Sequence, residues 1–130
     1  MNLQASIARA YAAFNRRDID DALALMTGNV SWPKASEGGR VAGKEEVRAY
    51  WTRQWEEFDA VVEPVEIVER TGGVVEVTVH QRVKNLEGDV LFDGEVRHIY
   101  TFADGLIERM DLGDEEANPD LPAKAFSGSR

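Results

Sequence analysis

The chain has 130 residues, 43% of them hydrophobic, which suits one compact domain with a real core and leaves no room for a second. Its 24 acidic against 15 basic residues give a formal charge of −9 and a pI of about 4.7, a balance that repels phosphate backbones and anionic membrane surfaces. Cysteine is absent, which excludes disulfides, thiolate nucleophiles and cysteine-ligated metals and permits a reducing compartment. No stretch approaches the roughly 18 apolar residues of a membrane span, and Met1 to Ala10 carries no basic segment followed by an apolar one. The expectation is a cytoplasmic protein without nucleic-acid or membrane partners.

Leu3, Ile7, Ala10, Tyr11 and Phe14 recur at helical spacing and predict a first helix from about Leu3 to Asn15. Asp18 is a good N-cap for a short second helix whose buried side is Ile19, Ala22, Leu23 and Met26, ended by Gly28 and Asn29. Val30, Ser31 and Trp32 predict a short strand that Pro33 stops, and Lys34 to Ala42, with Gly38 and Gly39, reads as a loop at a mouth. Val47, Tyr50, Trp51, Gln54, Trp55 and Phe58 make a third, aromatic helix that opens on Lys44, Glu45 and Glu46.

From Val61 the period changes to two. Strands are expected at Val61 to Arg70, Val74 to Lys84, Val90 to Phe102 and Leu106 to Leu112, separated by turns at Gly72-Gly73, Glu87-Gly88-Asp89 and Asp104-Gly105. Helices followed by an antiparallel meander make an α+β domain with helices on one face of a curved sheet. The domain is expected to span 1–114 and a tail 115–130, rich in acidic, proline and small polar residues, to lie outside it.

On the third of these strands Gly94, Val96, His98, Tyr100 and Phe102 share one face. His98 is therefore expected inside, where a titratable ring must find a partner or a ligand. Apolar surroundings would lower its pKa and keep it neutral, fit for acid/base work near pH 7. Its bland alternative is a structural histidine bonded to Tyr11, Tyr50 or a backbone carbonyl. Trp32 and Lys34 share parity on the first strand, Trp32 as a cavity wall and Lys34 as either a solvated or a desolvated lysine. Tyr50 is expected at the cavity edge, and Trp51, Trp55 and Phe58 in the core. His80, with Glu76, Thr78 and Arg82, falls on the opposite face. Two histidines on opposite faces of adjacent strands do not make a zinc site, and no metal or cofactor is expected.

The strings YAAFNRRDIDDALALM, VSWP, GKEEVRAYW, VRHIYTF and GLIERMDL, spanning about Leu3 to Asp114, resemble the nuclear transport factor two-like superfamily in its SnoaL-like and ketosteroid-isomerase-like branches. The resemblance implies a cone in which three helices and a bent, mainly antiparallel mixed sheet enclose a pocket, with homodimerisation through the outer sheet face. It also implies that the isomerase roles have changed. Lys34 stands where the base aspartate belongs, Ala10 at the helical tyrosine with Tyr11 one residue on, and His98 at the oxyanion-hole acid.

Against limonene-type epoxide hydrolases, family parity sends Met110, Leu112 and Asp114 inward, so Leu112 occupies the acid's place and Arg109-Met110-Asp111 has the parity of the outer face. Against SnoaL-like cyclases, His98 and Asp114, with Asp111 in reserve, resemble the residues that manage a proton beside a carbonyl. The implied function is a cofactor-independent isomerase or cyclase acting on an apolar carbonyl compound, with Tyr11, Trp32, Lys34, Tyr50, Met110 and Leu112 around the ligand. The alternative is a non-catalytic hydrophobic-ligand-binding or dimerisation module with a structural His98.

Overall fold

A computed structural model describes residues 2–34 and 37–113. Along the chain it places α1 (Leu3–Asn15), α2 (Ile19–Leu23), β1 (Met26–Pro33), β2 (Arg40–Ala42), α3 (Lys44–Glu57), β3 (Phe58–Glu69), β4 (Val74–Asn85), β5 (Val90–Ala103) and β6 (Leu106–Leu112). The six strands form one sheet in the order β2-β1-β6-β5-β4-β3. All neighbours run antiparallel except β1 and β6, so the sheet is mixed and open. This is an α+β architecture in which three helices cover the concave face of a curved sheet.

Local chemistry explains the joints. Asn2 caps α1 by accepting from the Ala5 amide, and Asp18 caps α2 by accepting from the Asp21 amide. Asp104 and Gly105 both take positive φ, 54° and 82°, as a two-residue hairpin between right-twisted strands requires. Pro64 interrupts β3, which is tolerable because β3 is an edge strand and the register shifts between Pro64 and Glu66. The free edge of β3 is partly covered by α1. The Asn15 carboxamide donates to the Val62 carbonyl at 2.6 Å and accepts from the Val62 amide at 2.9 Å, as a neighbouring strand would.

Alternation puts Val75, Val77, Val79, Gln81 and Val83 of β4 on the inner face, together with His98, Tyr100 and Phe102 of β5. They pack against Ile7, Tyr11, Val47 and Trp51 of the helices. α1 and the later strands of the meander lie where the sequence places them, whereas three points differ. Phe58, expected on the third helix, opens β3, which therefore begins three residues before Val61. Met26 belongs to β1, not to the second helix, because it pairs with Ile107 of β6. The expected loop from Lys34 to Ala42 contains β2, whose Val41 pairs with Trp32. The expected tail, 115–130, lies outside the described residues.

Candidate active site

Seventeen side chains enclose a cavity of about 90 Å³ between the helices and the inner face of the sheet. Its walls are aromatic and aliphatic: Phe14 from α1, Trp32 from β1, Tyr50, Trp51 and Trp55 from α3, Val62 from β3, and Met110 and Leu112 from β6. The α3 aromatics expected as core therefore also form the cavity wall. Trp32 and Trp51 meet edge to face at 5.3 Å, and Phe14 meets Trp51 the same way at 5.2 Å.

One polar chain enters this apolar space. The Tyr100 hydroxyl donates to the Tyr11 hydroxyl at 2.8 Å, and the Tyr11 oxygen lies 2.7 Å from His98 Nδ1. All three residues are buried, with His98 7% exposed and lining the cavity. Only one direction satisfies both hydroxyl protons: Tyr100 to Tyr11 to Nδ1. Run the other way, the Tyr100 proton has no acceptor among the described residues. Nδ1 is thus an acceptor, the ring proton sits on Nε2, and Nε2 makes no hydrogen bond among the described residues. The tautomer is assigned from this network.

Burial also fixes the charges. Desolvation lowers the His98 pKa from 6.5 to about 4, so the ring is neutral at pH 7. Desolvation likewise raises both tyrosines, and for Tyr11 the neighbouring Tyr100 raises it further. The chain is therefore neutral throughout, a line of dipoles aimed at the cavity. No carboxylate lines the cavity among the described residues.

Of the residues expected around a ligand, Tyr11, Trp32, Tyr50, Met110 and Leu112 line the cavity with His98. Lys34 does not. It lies in an adjoining polar pocket with Pro33, Gly38, Gly39, Arg40, Asp111 and Leu112, because β1 ends at Pro33 and the alternation ends with it. Asp111 faces away from His98, accepting from Arg40 at 3.2 Å and Arg109 at 2.9 Å. Asp114 lies outside the described residues. Tyr100 was legible as an inward residue but not as part of the site; its position two residues from His98, on the same face, was the available signal. Among the described residues no three His, Asp or Glu side chains are grouped to hold a metal ion, and no helix is long and apolar enough to cross a membrane.

A family model for the SnoaL-like domain matches residues 7–110. The chain belongs to the SnoaL-like family. Solved structures agree with this fold. An NTF2-like protein of unknown function from Burkholderia pseudomallei is 23% identical, with 95% of this chain and 99% of that one covered and a TM-score of 0.76. TerC, co-crystallised with polyporic acid, is 26% identical over 92% of this chain and 96% of that one, with a TM-score of 0.77. RV0760c from Mycobacterium tuberculosis, in complex with estradiol-17β-hemisuccinate, is 18% identical over 85% of this chain and 91% of that one, with a TM-score of 0.74. A search of curated proteins finds no match. The SnoaL-like domain thus carries a mainly apolar cavity whose wall includes the His98 ring together with Tyr11, Tyr50, Gln54, Trp55 and Tyr100.

Proposed function

We propose that this SnoaL-like protein binds a small, mainly apolar molecule whose carbonyl or hydroxyl oxygen accepts a hydrogen bond from His98 Nε2–H. The observation that carries this reading is the Tyr100–Tyr11–His98 chain, which ties up Nδ1 and leaves Nε2–H as a donor at the cavity wall, beside the Trp55 indole N–H, which is buried without a partner among the described residues. A ring compound with an oxygen at its edge matches both the aromatic walls and such donors. The complexes of TerC with polyporic acid and of RV0760c with an estradiol ester support a ring-shaped occupant. Fluorescence titration with uncharged phenylnaphthylamine tests the apolar part. Displacement of that probe by cyclic ketones, compared between the parent and His98→Phe, tests the polar part. Ketone affinity falling about fivefold or more in His98→Phe fits a lost buried hydrogen bond; equal affinity contradicts it.

A second reading, isomerase or cyclase chemistry, draws on the same donor. When a base removes the proton beside a carbonyl, the C–H electron pair becomes the C=C bond of an enolate, the carbonyl π pair moves onto the oxygen, and a neutral N–H donor stabilises that developing charge. In this tautomer His98 serves as the donor, and the base must come from elsewhere, with Asp114 the residue we assign to it. Deuterium exchange beside the carbonyl of a bound cyclic ketone, lost in His98→Asn and in Asp114→Asn, is the expected outcome. Exchange unaffected by either substitution would leave the binding reading alone standing.

We further assign residues 1–114 to the domain and the outer sheet face to a homodimer, since Thr78, His80, Arg97, Ile99 and Thr101 make a half-exposed mixed surface there. Light scattering that detects only monomer at micromolar concentration would overturn the dimer.

A further inference from the structure

The cavity does not end at its apolar wall. Pro33 and Leu112 border both it and an outer pocket of about 260 Å³ that holds Lys34, Arg40 and Asp111. Leu112 stands directly opposite His98 across the β5–β6 ladder, so the outer pocket opens beside the polar end of the cavity. Sites for drug-sized ligands measure about 300–1,000 Å³. The inner cavity, about 90 Å³, is well below that, so a ligand of such size held at His98 has to extend beyond it, either past Leu112 into the outer pocket or past Trp55 into the groove at the other end.

Two ion-pair groups charge this outer pocket. Lys34 Nζ lies 3.8 Å from Glu37, whose two oxygens each accept from Arg53 at 2.9 Å. Arg40 and Arg109 share the Asp111 carboxylate. The second group joins two cations to one carboxylate, a positive excess within a chain of net charge −9, whereas in the first Glu56 also acts on Arg53 and leaves Lys34 as the cation that borders the pocket. Arg40 donates to Ser31 Oγ, to Asp111 and to the Met110 carbonyl, which leaves two of its five N–H groups without an acceptor among the described residues. Burial, and then the Arg109 cation, lower its pKa; a nearby anion would act against both.

The far end of the cavity offers less. There Trp55 and Phe58 border a groove with Arg17, Asp59 and Lys84. Arg17 is already committed, donating to the Phe14 and Ala60 carbonyls and to Asp59, and lying 4.8 Å over the Trp55 ring.

We infer that the outer pocket is an anion subsite with Lys34 and Arg40 as its positive groups, and that the ligand of the inner cavity is an apolar ring compound bearing an acidic substituent such as a carboxylate. This rests on the small-molecule reading of the inner cavity. The chemistry it requires is a rigid apolar body that fits beneath Trp32 and Trp51, with the charge at the end that emerges beside Leu112.

Two fluorescent probes that differ by one anionic group test it on the full chain at low salt and pH 7: anilinonaphthalene sulfonate and uncharged phenylnaphthylamine. Lys34→Gln is expected to weaken the sulfonate probe about two- to fivefold, the range for a partly exposed ion pair, while the neutral probe changes by less than about twofold. The loss should shrink at about 1 M salt, where charge interactions are screened within roughly 3 Å. Lys84→Gln, the same charge change at the far end of the cavity, should leave both probes unaltered. An unchanged sulfonate affinity in Lys34→Gln, an equal loss for both probes, or a larger loss in Lys84→Gln overturns the subsite. If the neutral probe binds and the sulfonate gains nothing from Lys34, only the subsite falls. If neither probe binds, the cavity reading falls with it.

Discussion

His98 and His80 sit on neighbouring strands and meet opposite surroundings. His98 faces the concave side of β5, where its single hydrogen bond runs to a tyrosine and desolvation holds its pKa near 4. His80 faces the convex side of β4, half exposed, with Nε2 2.5 Å from Asp93 and Arg82 3.4 Å from the same carboxylate. The outer ring has a charged partner and the inner ring only dipoles. Strand parity alone makes this difference: the same side chain becomes a half-exposed ring hydrogen-bonded to a carboxylate on one face and a buried ring hydrogen-bonded to a tyrosine on the other. Of the two rings, only the inner one borders the apolar cavity.

Acid should break this contrast most. The folded pKa of His98, about 4, lies below its ordinary value of 6.5, so as pH falls the unfolded chain takes up the proton first. The contribution of a neutral His98 is complete above pH 6.5 and lost progressively down to about pH 4. At 1.36 kcal/mol per unit, the loss is on the order of 3 kcal/mol. Urea melts across this window should show a slope that His98→Asn lacks, and identical slopes would contradict a neutral buried ring.

Tyr11→Phe comes next. It leaves His98 Nδ1 without a donor and Tyr100 without an acceptor, and a cost of about 2–4 kcal/mol is expected for two buried groups left unsatisfied. Tyr100→Phe removes only the far end of the chain, since Tyr11 can still donate to Nδ1, so about 1 kcal/mol is expected. Thermal melts of the two variants should keep that order; a Tyr100→Phe cost equal to or above that of Tyr11→Phe would contradict a chain that runs from Tyr100 through Tyr11 to His98. On the convex side the expected effects are smallest. Asp93→Asn removes an exposed pair, and its cost should be the smallest of the series and fade with added salt. A larger, salt-independent loss would place that pair in a buried interface.

Much of the inner face was legible because period-two alternation and glycine turns are local signals. From Val90 to Phe102 they place His98 and Tyr100 on one face without knowledge of any partner. What stayed hidden depends on contacts between distant residues. Met26 continues the apolar spacing of Ala22 and Leu23, and only its pairing with Ile107 turns it into a strand. Arg40 to Ala42 is too short to show a period, and β2 exists through its pairing with β1.

The parity that carries Trp32 inward ends at Pro33, so parity could not choose between a solvated and a desolvated Lys34, which lies beside the cavity and not on its wall. The Tyr11–Tyr100 hydrogen bond joins residues 89 positions apart, and nothing local announces it. Trp51 and Trp55 have the spacing that core residues also have, and a cavity wall is distinguished from a core only by the space beside it.

The state of the inner ring is tested most directly by nitrogen NMR of the histidine side chains, titrated with and without phenylnaphthylamine. His98 should give a protonated Nε2 and an unprotonated Nδ1, stay neutral down to about pH 4, and shift at Nε2 when the probe fills the cavity. An Nδ1–H tautomer, a midpoint near 6.5, or a ring indifferent to the probe would contradict a donor held ready for a ligand.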